Sequence, residues 1–75
     1  MPDHYPPTAS RPHMLRVLEL EARIEAEKPT RASQGLPLVL RAYEIATNGY
    51  RRLCLTSGQL QALEQCTADL EGILK

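Results

Sequence analysis

Carboxylates are the densest group of side chains in this sequence that could take part in acid–base chemistry. Glu19, Glu21, Glu25 and Glu27 lie within nine residues, and paired carboxylates can act as a general acid and a general base. No His, Cys or Ser lies beside them in the sequence, and they follow the regular spacing of a charged surface. We therefore interpret them as a solvated face, and we expect the protein not to be an enzyme.

Histidines and cysteines are the residues most able to hold a metal ion. The chain contains His4, His13, Cys54 and Cys66, and their spacing matches none of the usual zinc patterns. Both cysteines fall on predicted apolar faces, where a cysteine usually acts as a small buried hydrophobic residue. The sequence also lacks a phosphate-binding loop and a nucleophile-elbow motif, so we expect neither a metal nor a cofactor.

Arginines of the central segment form a strongly charged cluster. The net charge of the chain is zero, yet residues 29–55 contain four Arg and one Glu, and the segments on both sides are acidic. Arg41, Arg51 and Arg52, here called the arginine patch, share one side of the second predicted helix. Ile45 and Leu55 border this patch, and we predict that the five residues together bind a partner.

Three interpretations of the arginine patch remain open. It could be a solvated face that Glu21 and Glu25 neutralise, a docking site for an acidic protein, or a surface for nucleic acid. A neutral chain has no overall electrostatic attraction to phosphate, which favours the first two interpretations over the third.

The last segment, "TSGQLQALEQCTADLEGILK", predicts an amphipathic helix. Thr56 and Gln59 have the spacing of a capping box, which marks the start of a helix. An apolar stripe with helical spacing follows, formed by Leu60, Leu63, Thr67, Leu70 and Leu74. A stripe this short is typical of core packing rather than of a coiled coil.

The middle segment carries two conflicting signals. Asn48-Gly49 between apolar residues is typical of a β-hairpin turn. The helical phase of the apolar and charged residues nevertheless continues unchanged through this dipeptide, and a turn would not preserve it. We therefore predict one helix from about Pro37 to about Leu55, with a hairpin at Asn48-Gly49 as the alternative.

The first segment contains "LELEARIEAE", which alternates apolar and charged residues as a half-buried strand does. Leu, Glu, Ala and Arg are helix formers, so we predict a helix and keep a strand as the alternative. A strand would suit a ribbon-helix-helix DNA binder, but its outward glutamates would be repelled by phosphate. The helix has two apolar stripes, one of Val17, Leu20 and Ile24 and a second of Leu15, Leu18, Ala22 and Ala26.

A helix with two apolar stripes needs two partners. The chain has 75 residues and no Phe or Trp, so its core is small, and small domains often gain stability by association. We expect a homodimer in which Val17, Leu20 and Ile24 pack between chains, or alternatively the second stripe does.

Proline dominates the beginning of the chain. Residues 1–12 contain four prolines and predict a flexible tail, whose first ten residues we expect to be dispensable for folding. Residues 13–75 then form a single small domain. The absence of an apolar run near the first residue predicts no secretion signal, a cytoplasmic location and reduced thiols.

These patterns together predict an all-α fold of three helices. The junction around Thr56 and Ser57 is short, so the second and third helices should form an antiparallel hairpin, and two chains should associate into a bundle. We expect a non-enzymatic regulatory or inhibitory protein that binds a protein partner through helical surfaces, with no membrane contact. The alternative is a small dimeric DNA-binding transcriptional regulator.

Overall fold

Three α-helices make up most of the computed structural model, which describes residues 4–75. They are α1 (Arg11–Glu27), α2 (Ala32–Arg52) and α3 (Ser57–Leu74). Short 3₁₀ helices, Pro7–Ser10 and Pro29–Arg31, precede α1 and α2, and strands β1 (His4–Tyr5) and β2 (Leu55–Thr56) form a two-stranded sheet. The predicted all-α class with three helices is confirmed. Within residues 4–75, no helix combines the length and apolarity that a membrane crossing requires.

The alternating stretch of the first segment is helical, so the strand alternative is wrong. Helix propensity prevails there because the helix can bury one apolar stripe completely. Ion pairs run along its outer side, Arg16 with Glu19 at 2.9 Å and Arg23 with Glu27 at 3.0 Å. The hydrogen bond and charge of Glu27 raise the pKa of Arg23 above its ordinary value.

Helix α2 continues through Asn48-Gly49, which confirms the single helix and excludes the hairpin alternative at this site. The helix ends at Arg52, earlier than predicted, because Leu53 adopts a left-handed conformation with φ 61°. The Cys54 N–H then donates to the Gly49 carbonyl at 3.1 Å, the long-range bond of a Schellman termination. This reversal turns the chain toward β2.

Helix α3 begins at the predicted capping box. The Gln59 N–H donates to Thr56 Oγ1 at 3.1 Å, and the Thr56 N–H donates to Gln59 Oε1 at 2.8 Å. Two amides that lack partners within the helix are satisfied in this way, so the start of α3 is determined locally.

The core lies between the three helices. Each helix contributes one buried stripe to it, and the shared cluster consists of Val17, Leu20, Ile24, Val39, Ala42, Leu63, Cys66 and Leu70. Near one end of the bundle, Arg31 Nη1 donates to the Ile73 carbonyl at 3.2 Å. At the same end Gly35 lies against the side chain of Leu70.

The proline-rich segment is more ordered than the predicted flexible tail. Residues 1–3 of that tail lie outside the described residues. Beyond them, β1 pairs antiparallel with β2, with Tyr5 opposite Leu55. Ser10 is buried and donates its hydroxyl to the Pro7 carbonyl at 2.8 Å. Proline fits these positions because it favours extended backbone and the first turn of a helix, where its missing N–H costs little.

Candidate functional site

The side of the bundle away from α3 exposes an unusual amount of apolar surface. Val17, Leu20 and Ile24 of α1 face the core and have essentially no exposed surface. The second stripe of α1 therefore points outward, beside an apolar stripe of α2. We call the resulting surface the apolar face. Its large members are Leu15 and Leu18 of α1 with Leu36, Leu40, Tyr43 and Tyr50 of α2.

Exposure of the large apolar side chains is concentrated on this face. Eight such side chains are exposed among residues 4–75, and six of them belong to the apolar face. Leu15 is 67 % exposed and Leu40 58 %, whereas Tyr43 and Tyr50 are close to half exposed. Isolated exposed leucines are common on protein surfaces, whereas several large apolar side chains on one side of the bundle make this face a candidate interaction site.

Two hollows run along the groove between α1 and α2. One, of about 270 Å³, lies between the beginning of α1 and the end of α2, where Leu18 and Tyr43 line it together. The other, of about 230 Å³, lies between the end of α1 and the beginning of α2, beside Leu36. The face is thus a shallow groove with side chains of mixed size, which can accept the ridge of another helix.

The charges on the groove differ between its two ends. Arg11 lines the first hollow, and Glu21 and Glu25 line the second. None of these three residues forms an ion pair with another residue in the described part of the chain. The groove therefore carries positive charge at one end and negative charge over the opposite half, from Glu21 to Glu25.

The residues predicted to bind a partner do not form one surface. Arg41, Arg51 and Arg52 are exposed, but Leu55 is fully buried and Ile45 packs against the core. Leu55 was placed beside the arginines on the assumption that α2 reaches that far, and the left-handed Leu53 directs it inward instead. Partner binding by the arginine patch itself stays a prediction.

The arginine patch is also separated from the glutamates that were expected to neutralise it. Arg41 lies close enough to Cys66 of α3 to lower the pKa of that thiol, although burial of Cys66 has the larger effect and raises it. Glu21 and Glu25 line the groove on the opposite side of α2. The ion pairs within residues 4–75 are the two along α1, so neutralisation by these glutamates is not observed.

Comparisons with known proteins identify no relative. Searches of protein-family models, of curated proteins and of solved structures find no match to this chain.

The chemistry-bearing side chains do not converge on one place. Within residues 4–75, no group of three or more His, Cys, Asp or Glu is arranged to hold a metal ion. Cys54 and Cys66 are both free, and Cys66 is buried in the core. The site with the clearest structural basis is therefore the apolar face.

The prediction that Val17, Leu20 and Ile24 pack between two chains is corrected by this arrangement, because α2 and α3 of the same chain already cover these residues. The open surface is the neighbouring stripe, which the sequence also indicated. The exposure of the α2 half of the face was not predicted, although Leu36, Tyr43 and Tyr50 repeat every seven residues. That repeat could have revealed it.

Proposed function

We propose that this chain is a non-enzymatic regulatory or inhibitory protein that binds a protein partner through the apolar face. The observation that carries the proposal is the grouping of six exposed large apolar side chains on one side of the bundle. Tyrosine is enriched in protein interfaces because its ring buries a large area and its hydroxyl remains solvated. Two of the three tyrosines of the chain lie on this face.

A helical partner segment suits the shape of this site. A groove between two helices receives the apolar side of an amphipathic helix, whose anchors recur at three- or four-residue intervals. The two hollows of the groove provide places for such anchors. The proposal includes a cytoplasmic location, which the two free cysteines support.

The proposal also includes the antiparallel hairpin of α2 and α3, which would hold one wall of the groove in place. Two contacts and a chain reversal support it. Arg31, just before α2, bonds to Ile73 near the end of α3, and Gly35 of α2 lies against Leu70. At the other end, Leu53 and Cys54 reverse the chain between the two helices.

Substitution of two exposed leucines on the face tests the proposal. The double variant Leu15→Glu/Leu40→Glu places charges on the face, and glutamate keeps a high helix propensity. Leu53→Glu is the matched control, since Leu53 is 77 % exposed and lies outside the face. Circular dichroism should show that all three proteins are equally folded.

Chemical cross-linking in extract of the native host cells, followed by mass spectrometry, then compares the three proteins. We expect the wild type and Leu53→Glu to capture the same protein and the double variant to lose it. Equal capture by all three proteins would place partner binding elsewhere on the molecule.

DNA binding by the arginine patch is the second candidate function. Arg41, Arg51 and Arg52 are exposed and form no ion pair within residues 4–75. Three phosphate contacts would give a slope of about −2.7 when the logarithm of the binding constant is plotted against the logarithm of salt concentration. Fluorescence anisotropy with duplex DNA measures this slope. The triple alanine variant should abolish binding, and a wild type that does not bind at low salt rejects this candidate.

A further inference from the structure

We propose that the apolar face binds a second copy of this chain, related to the first by a two-fold axis that crosses α1 and α2. The inference rests on the proposed function, because it takes the apolar face as the docking surface. It adds the identity of the occupant and the orientation in which that occupant binds.

Two pairs of residues on the face lie symmetrically about its middle. On α1, Arg11 and Glu25 each lie seven residues from Leu18, which is about 10 Å along the helix axis. On α2, Leu36 and Tyr50 each lie seven residues from Tyr43. Leu18 and Tyr43 line the same hollow, so the two midpoints are at the same level of the groove.

Charge determines which two-fold axis fits. An axis across the helices reverses their direction, so α1 packs antiparallel on its copy and α2 on its copy. Arg11 of each chain then lies opposite Glu25 of the other, and the contact occurs twice, as in any isologous interface. An axis parallel to the helices would instead place like charges together at both ends, which is unfavourable.

The apolar contacts follow the same symmetry. The crosswise axis brings Leu36 of one copy opposite Tyr50 of the other, and Leu18 and Tyr43 each pack near their own copies. An aliphatic side chain therefore meets an aromatic ring at both ends of α2. Glu21, three residues from Leu18, is the charged residue nearest the middle of the groove, and the same axis places it opposite Leu15 of the other copy.

The size of the face agrees with a specific but modest dimer. A helix of 17 residues is about 25 Å long, and two adjacent helices are about 20 Å across. Two copies would therefore bury roughly 1,000 Å², at the lower limit for a specific interface. Interfaces near this lower limit are typical of weak association, so we expect a dimer that dissociates readily.

Sedimentation equilibrium with charge-reversed variants tests the occupant and its orientation together. The wild type should show a reversible monomer–dimer equilibrium. Arg11→Glu alone and Glu25→Arg alone each place two repulsive pairs in the dimer and should raise the dissociation constant about tenfold. The control Glu71→Arg makes the same charge change on α3, away from the face, and should leave the dissociation constant unchanged.

Mixing the two single variants is the decisive measurement. In a mixed dimer both contacts become attractive again, so an equimolar mixture should associate as tightly as the wild type. The double variant Arg11→Glu/Glu25→Arg should regain self-association for the same reason. A mixture that stays as weak as the separate variants overturns the crosswise arrangement, and so does wild-type association that Leu15→Glu/Leu40→Glu leaves intact.

Failure of this inference can be distinguished from failure of the proposed function. A wild type that remains monomeric up to about 1 mM, a concentration that would reveal even very weak pairing, overturns self-association. If the cross-linking experiment then still captures a different protein through the face, the proposed function stands without the dimer. A wild-type dimer that meets the charge tests supports the inference whatever the cross-linking captures.

Discussion

Substitution of Gly49 by alanine should destabilise the protein, against the usual preference of helices for alanine. Gly49 is buried near the end of α2, in ordinary helical conformation. A Cβ atom at this position would lie 2.6 Å from Leu55 Cδ2 and 2.8 Å from Leu55 Cγ. Real side chains do not approach so closely, so Leu55 would have to move. Leu55 is fully buried and belongs to the strand that pairs with β1, so it has little room to do so.

Two opposing contributions determine how much Gly49→Ala changes the free energy of unfolding. Replacing glycine by alanine within a helix stabilises it by about 1 kcal/mol. Forcing an extra methyl group into a filled interior costs about 1–3 kcal/mol. The net result is a loss of about 1 kcal/mol, which lowers the Tm of a domain of this size by about 4–8 °C.

Gly72→Ala is the matched control for this prediction. A Cβ at Gly72 meets no atom within 4 Å, so only the helix term acts. Because the position is in the last turn of α3, we expect a gain of about 0.5 kcal/mol. Urea denaturation followed by circular dichroism measures both variants. The reasoning is refuted if Gly49→Ala stabilises the protein as much as Gly72→Ala does.

A double-mutant cycle identifies the atoms responsible. Leu55→Ala in the wild type should cost about 2–5 kcal/mol, because it leaves a cavity. In the Gly49→Ala background the cost should be smaller by about 1–3 kcal/mol, because the overlap disappears together with the leucine. Additive costs would show that the two side chains do not conflict.

Three further predictions concern the capping box, the buried thiol and the first residues. Thr56→Ala removes the acceptor for the Gln59 N–H and should cost about 1 kcal/mol in urea denaturation; an unchanged midpoint would show that water replaces the cap. Burial raises the pKa of Cys66 above its ordinary value of 9.0, so the folded protein holds this proton more tightly than the unfolded chain. The stability that this provides is complete below pH 9.0 and should be lost as the pH rises through the folded pKa, and Cys66→Ala should flatten that loss in denaturation series at several pH values. Deletion of residues 1–10 should lower the Tm by several degrees, because it removes β1 and uncovers Leu55; an equal Tm would restore the interpretation of a dispensable tail.

Regular periodicity explains why the helices could be predicted from the sequence. The capping box at Thr56 and Gln59 acts locally, so its residue types suffice to place the start of α3. The phase of α2 through Asn48-Gly49 was decisive for the same reason, since a helix buries that stripe and a hairpin would divide it. In both cases the residues that determine the helix lie within a few helical turns of one another.

Features that depend on distant contacts were not predictable in this way. Both stripes of α1 are apolar, and only the position of α3 decides that Ile24 faces inward and Leu18 outward. Leu55 was placed on the surface because helical periodicity was extended past Arg52, where a single left-handed residue ends it. The pairing of Tyr5 with Leu55 joins segments far apart in sequence, and no local pattern encodes it.

That strand pairing also constrains the order in which the molecule assembles. Tyr5 and Leu55 close a loop that contains all of α1 and α2, and closing a loop of this length carries an entropic cost that two paired residues cannot offset alone. The strands can therefore join only after the helices have brought them together, which makes this pairing a late step in folding. For the same reason we expect the pairing to open more readily than the helical core, so amide protons in β1 and β2 should exchange with solvent faster than those in the middle of the helices. Each opening transiently uncovers Leu55 while the helical bundle remains intact.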